Sequence, residues 1–159
     1  MRKLVVSEFV SLDGIVEAPG GEDGYRHGGW TIPYFSPELG EYKTAELLAA
    51  DGLLLGRVQY EGFAEAWPER SGDPMSDHMN AMAKYVVSAS LQDPAWNNTH
   101  LLGGDMVTAV TALKEAAGAD IPVAAGREAP LVRELSTAAV MHGEGGLEGP
   151  LPAVPSRPA

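Results

Sequence analysis

The chain predicts an α/β domain, a mainly parallel sheet flanked by helices. Two observations carry this. Short apolar and β-branched runs alternate with stretches whose apolar residues recur at helical spacing. Parallel neighbours need crossover connections, so this alternation is what a parallel sheet requires. The second observation is Leu53-Leu54-Leu55-Gly56-Arg57-Val58-Gln59-Tyr60-Glu61, an apolar run that ends at glycine and turns into a helix-compatible pattern. At 159 residues the chain suits one domain with a single core.

Leu4 to Val10 reads as the first strand, through Val5, Val6 and Val10, and Ser11-Leu12-Asp13-Gly14 ends it. A long glycine-rich loop to about Pro33 follows, and loops of this length are functional or mobile. Ser36-Pro37-Glu38 marks a helix start, serine at N-cap and proline at N1. That helix is expected to reach about Ala50 and to bury Leu39, Tyr42, Leu47 and Leu48. Gly52–Leu55 is the second strand, Arg57–Ala66 the second helix, and Pro68–Asp77 a loop. Lys84–Ser88 and Thr99–Leu102 are strands. Asp105 caps a helix ending near Ala117-Gly118, with Val107, Val110 and Leu113 on one face. Ile121–Ala124 is the fifth strand, and Ala129–Leu135 begins another helix.

From Ser136 the composition changes. Gly143, Gly145, Gly146 and Gly149 join Pro150, Pro152, Pro155 and Pro158, eight of the last 24 residues. That argues against regular structure. The expected organisation is therefore a domain over 1–135 and an irregular tail over 136–159.

Lys plus Arg is 11 and Asp plus Glu is 22, a formal charge of −11. Nucleic-acid binders and proteins of anionic membranes usually carry a basic excess, so neither partner is expected. Any anionic ligand needs local positive charge against this overall field. There is no cysteine, which excludes disulfides and thiolate metal sites. No apolar run reaches a membrane-spanning length, and the N-terminal segment is interrupted by Ser7 and Glu8, so the cytoplasm is the default compartment. His27, His78, His100 and His142 form no short-spaced pair, so no metal is expected, and His78 reads as a solvated residue at a helix start. No Gly-x-Ser-x-Gly elbow occurs.

The strand–glycine–helix corner at Gly56-Arg57 is suited to an anion. Glycine permits close backbone approach, the first helical N–H groups lack intrahelical partners, and the Arg57 fork matches a phosphate. The plain alternative is an ordinary turn with a surface arginine.

Several motifs in order narrow this: Ser11-Leu12-Asp13-Gly14, Gly28-Gly29-Trp30, Leu54-Leu55-Gly56-Arg57-x-x-Tyr60-Glu61 and Lys84-Tyr85-Val86-Val87-Ser88. Trp96-Asn97-Asn98-Thr99, Asp120-Ile121-x-Val123 and Leu131-Val132-Arg133-Glu134-Leu135 follow. Their succession resembles the dihydrofolate-reductase-like bacterial proteins related to the C-terminal reductase domain of riboflavin biosynthesis. The resemblance implies an NADPH-dependent reductase that transfers hydride to a small heterocyclic (pterin- or riboflavin-precursor-like) or carbonyl substrate.

It implies that Gly56, Arg57, Val58 and Gln59 hold the 2′-phosphate and pyrophosphate, with Val87 and Ser88 beside the adenosine phosphate. Gln59 stands where the family often has threonine. Gly14 and Ile15 match the loop along the nicotinamide, and Gly126 and Arg127 match a second phosphate turn, in which Arg127-Glu128 replaces small residues. Trp30, Tyr34 and Glu41 would border the substrate. Asp13 is the candidate catalytic acid, with water as the other proton source. Each has a plain counterpart: an Asp-Gly turn, a strand-terminal serine, aromatic cover for a core edge, a solvated helix face. After Ser136 nothing resembles the family, so its C-terminal edge strands are expected to be missing or altered. The partner expected is a small molecule, with a homodimer left open. A non-catalytic nucleotide-binding or oligomerising scaffold on the same fold is the alternative.

Overall fold

The computed structural model describes residues 1–21 and 25–124. The expected helix at 129–135, the tail, the altered C-terminal edge strands, Gly126 and Arg127 lie outside the described residues. Five strands are seen: β1 (Leu4–Val6), β2 (Gly52–Gly56), β3 (Ala83–Val87), β4 (Thr99–Leu102) and β5 (Ile121–Ala124). Four helices accompany them: α1 (Pro37–Leu48), α2 (Arg57–Ala66), α3 (Pro74–Ala81) and α4 (Met106–Glu115). The sheet order is β1-β5-β2-β3-β4, with every described pairing parallel. This is the α/β architecture that the alternation predicts. The chain steps outward from β2 to β4, then α4 carries it back so that β5 inserts between β1 and β2.

β2 is buried along its length, as a central parallel strand covered on both faces must be. Its alternation builds two cores. Leu53 and Leu55 join Leu47 of α1, Tyr60 of α2, Met79 of α3, Val86 and Trp96 on one face. Leu54 joins Val110 and Leu113 of α4 with Ile121 and Val123 on the other. Pro122 sits in β5 although proline lacks a ladder donor. The Ile121 N–H donates to the Lys3 carbonyl on the β1 side, so the missing donor at 122 faces β2, and the β2–β5 register begins only at Val123.

Several expectations are corrected. The first strand stops at Val6 rather than Val10. Its last partner is Val123, and beyond it the Ser7 hydroxyl accepts from Lys43 Nζ on α1 at 2.6 Å while Phe9 lies under the same ammonium. Within the expected 68–77 loop a helix begins: Asp73 caps α3 by accepting the Ser76 N–H at 2.9 Å, and Pro74 follows at N1. The third strand runs one residue earlier than expected, leaving Ser88 just past its end.

On α1 only Leu47 of the expected four is buried, while Tyr42 and Leu48 are exposed. The inward face runs through Lys43, Thr44 and Leu47, where the Thr44 hydroxyl meets Met75 Sδ of α3 at 3.8 Å. On α4 the inward face is Met106, Val110 and Leu113, and Val107 is exposed. His78 is half-buried rather than solvated, its Nε2 2.8 Å from the Ala50 carbonyl.

Among the described residues no helix is long and apolar enough to cross a membrane, and no group of three His, Cys, Asp or Glu is arranged to hold a metal.

Candidate functional site

In an open parallel sheet, ligands bind beyond the carboxyl ends of the strands, beside the position where strand order reverses. Here the ends align. Gly56 lies opposite Val87, and Val87 opposite Leu102; Leu55 lies opposite Ala124 and Val6 opposite Val123. The residues that leave these strands therefore share one edge: Ser7, Arg57, Ser88 and Gly103. Gly103-Gly104 did not figure in the motif reading. Gly104 has φ +79, and a Cβ on either glycine would meet nothing within 4 Å, so the turn is open. The sequence signal is a glycine pair between an apolar run and the aspartate N-cap of α4.

At the centre of this edge α2 begins directly at the end of β2. Gly56, the N-cap, is extended (φ −83, ψ 169) and brings no capping side chain, and the first turn of α2 holds no acidic residue. Such a helix start is electropositive. Val58 is exposed and Gln59 half-buried in that turn. Arg57 is half exposed, and its Nη1 donates to both Glu61 oxygens, at 2.9 and 3.0 Å.

Val87 packs into the α4-side core. The Ser88 hydroxyl accepts the backbone N–H groups of Leu91 at 2.9 Å and Ser90 at 3.2 Å, which shapes the turn out of β3 and leaves its own proton available to donate.

Asp13, Gly14 and Ile15 form one compact turn. The Gly14 N–H donates to the Ser11 carbonyl, Ser11 and Ile15 pair through the backbone at 2.9 Å, and the Ile15 N–H also reaches Ser11 Oγ at 2.8 Å. Gly14 takes φ +85, where a side chain would be strained. The Ser11 hydroxyl donates to Asp13 at 2.6 Å. That bond first, then a backbone hydrogen bond, holds the Asp13 carboxyl below its ordinary value.

On the loop that follows, the Trp30 indole donates to the Glu17 carbonyl at 2.9 Å and Thr31 Oγ1 to the Pro19 carbonyl at 2.6 Å. The two arms of the loop meet backbone to backbone: a Cβ at Gly28 would lie 3.3 Å from Gly21 Cα. Tyr34, in a 3-10 turn over Ile32–Tyr34, is 81% exposed, and Glu41 is exposed on α1. A shallow depression of about 440 Å³ lies elsewhere, lined by Arg70, Asp77, Asn80 and Asn97. It is at the amino ends of β3 and β4, away from the carboxyl edge.

The parallel sheet, the glycine-led helix start and the basic residue beside it define an α/β domain whose carboxyl edge carries a helix N-terminus next to an arginine. The family described as the RibD C-terminal domain matches residues 2–142, and the chain belongs to it. This is the riboflavin-biosynthesis reductase type of domain, with a dihydrofolate-reductase-like fold, that the motif order implies. No curated protein matches the chain.

Proposed function

We propose that the protein is an NADPH-dependent reductase that passes hydride to a small heterocyclic or carbonyl-bearing substrate. The reading is carried by one observation beside the family membership: a central strand delivers Gly56 and Arg57 to the carboxyl edge, opening a helix whose first turn contains no acidic residue. These residues fit a phosphate-bearing dinucleotide. Arg57 would take the 2′-phosphate, with the first turn of α2 and Ser88 along the phosphates, and Gly14 and Ile15 beside the nicotinamide. When bound, that ring supplies the hydride. The chain's part is to hold donor and acceptor together and exclude water. Trp30, Tyr34 and Glu41 border the acceptor on this reading. Asp13 is held ionised, which disfavours it as an acid at neutral pH; the proton then comes from solvent, and Asp13 sets the loop that carries Gly14.

Calorimetric titration with NADPH and NADH tests this. Micromolar NADPH binding that Arg57→Ala weakens at least tenfold, with NADH little changed, is the expected result. A folded protein that binds neither dinucleotide refutes it. Binding without turnover of pterin, flavin-precursor or quinone-like acceptors would instead identify a nucleotide-binding scaffold.

A further inference from the structure

Arg57 does not stand alone at the corner. Glu61 lies one helical turn on, and both its oxygens contact a single nitrogen, Nη1. The Nη2–Nε edge, the other bidentate face of the fork, takes no part in this pair. The two side chains are 44% and 48% exposed, so they are solvated and free to readjust.

From this geometry we infer that Glu61 sets the dinucleotide preference by partly neutralising Arg57. The inference rests on Arg57 being the 2′-phosphate contact. Glu61 does two opposed things. It orients the guanidinium along α2 with one edge turned away from the carboxylate. It also fixes a negative charge within ion-pair distance of the group that a dianionic phosphate must reach. That phosphate meets an arginine already half satisfied and a carboxylate that repels it. A dinucleotide lacking the 2′-phosphate feels neither effect. Preference for NADPH over NADH is thus lower than Arg57 alone would give, and Glu61 is a specificity-determining residue.

The test uses the full chain and Glu61→Gln, which keeps side-chain length, helix propensity and an acceptor for Nη1 while removing the charge. Glu61→Ala serves as a second variant, and thermal melts establish that both are folded. NADPH, NADH and 2′,5′-ADP are titrated at low and at physiological salt. Glu61→Gln is expected to bind NADPH and 2′,5′-ADP about two- to fivefold more tightly, the range of an exposed ion pair. NADH should be unchanged, and the gain should shrink as salt rises. Weaker NADPH binding, or an equal change for both dinucleotides, overturns the inference. NADPH binding that depends on Arg57 but ignores Glu61→Gln removes this inference and leaves the reductase reading intact. Failure of both wild type and variants to bind any of the three probes removes both.

Discussion

Lys84 Nζ lies 4.2 Å from the centre of the Trp96 ring, in a core where Lys84 is 0% exposed. Its ammonium donates to the carbonyls of Asn80 at 2.7 Å and Asn97 at 3.2 Å. Trp96 in turn donates its indole N–H to Asn80 Oδ1, and Asn80 Nδ2 donates to the carbonyls of Trp67 and Arg70. This closed polar network joins β3, α3 and the segment before β4.

Burial lowers the Lys84 pKa from 10.5 to about 8. Between those values the unfolded chain holds a proton that the folded chain has lost, so the Lys84 contribution to stability rises with pH across that window. Below about 8 both states are protonated and the contribution is flat. In Lys84→Met the two carbonyls lose their partner, and about 1–3 kcal/mol of stability should go at pH 7. The stability difference between wild type and Lys84→Met, from urea unfolding, should therefore widen from pH 7 to pH 10. A difference that stays constant would contradict the account.

A second buried cation ties the N-terminus down. Arg2 is 5% exposed and pairs with Asp51, while the Ala119 N–H donates to the other Asp51 oxygen at 2.9 Å. Gly118 makes room for this staple. It takes φ +154, and a Cβ there would lie 2.5 Å from Asp51 Oδ2 and 2.9 Å from Arg2 Cζ. Gly118→Ala must push the pair apart or move the turn into β5. A loss of about 1–3 kcal/mol is expected, from steric displacement of a pair in which Arg2 is buried and Asp51 half exposed. Arg2→Lys in the same melts should lose less, since it keeps the charge.

The fold was largely legible because local and tertiary signals agree where they are strong. β4, β5 and α2 start and end where apolar runs meet turn residues. α3 starts earlier than the helix start read near His78, because Ser71-Gly72-Asp73-Pro74 carries both a turn signal and an N-cap with proline at N1. The inward face of α1 is chosen by packing on α3, so hydrophobicity alone misplaced Tyr42 and Leu48. At the site, the Gly56-Arg57 corner was readable from residue types, and the Arg57–Glu61 spacing was visible though unused. The alignment of Gly56, Val87 and Leu102 along one edge depends on register, which no local pattern encodes. The burial of Lys84 was equally hidden, because it depends on carbonyls and a ring brought together from three segments.

Asp73 and Asp105 cap α3 and α4, each accepting the backbone N–H three residues on, with Asp105 also accepting the Thr108 hydroxyl at 2.6 Å. Hydrogen bonds from Ser76 and Thr108, side chain first, hold these carboxyls below the ordinary 3.8. Their contribution is present above that value and lost as pH falls through the depressed one. Asparagine caps a helix about as well as aspartate but does not titrate there. Asp105→Asn should therefore leave the Tm at pH 7 nearly unchanged and flatten its fall between pH 5 and pH 2. An unaltered acid limb in thermal melts would count against the capping role.

Tyr60 links the amino-end network to the helix that presents Arg57. It is 3% exposed, and its hydroxyl oxygen accepts the Trp96 backbone N–H at 3.1 Å while its ring packs 6.2 Å from the Trp96 ring. Tyr60→Phe deprives a buried N–H of its acceptor, for a loss of about 1–3 kcal/mol, yet keeps the ring that seats α2 against β2. Tyr60→Ala removes the ring as well, and large-to-small changes of this kind cost about 3–5 kcal/mol. The two variants separate stability from positioning. Tyr60→Phe should lower the Tm while NADPH affinity, measured well below the melt, stays within about twofold. Tyr60→Ala should weaken NADPH more than NADH, because a shifted α2 carries Arg57 away from the 2′-phosphate position and leaves the rest of the edge in place. Equal weakening of both dinucleotides would mean that α2 supports the whole edge rather than the arginine alone.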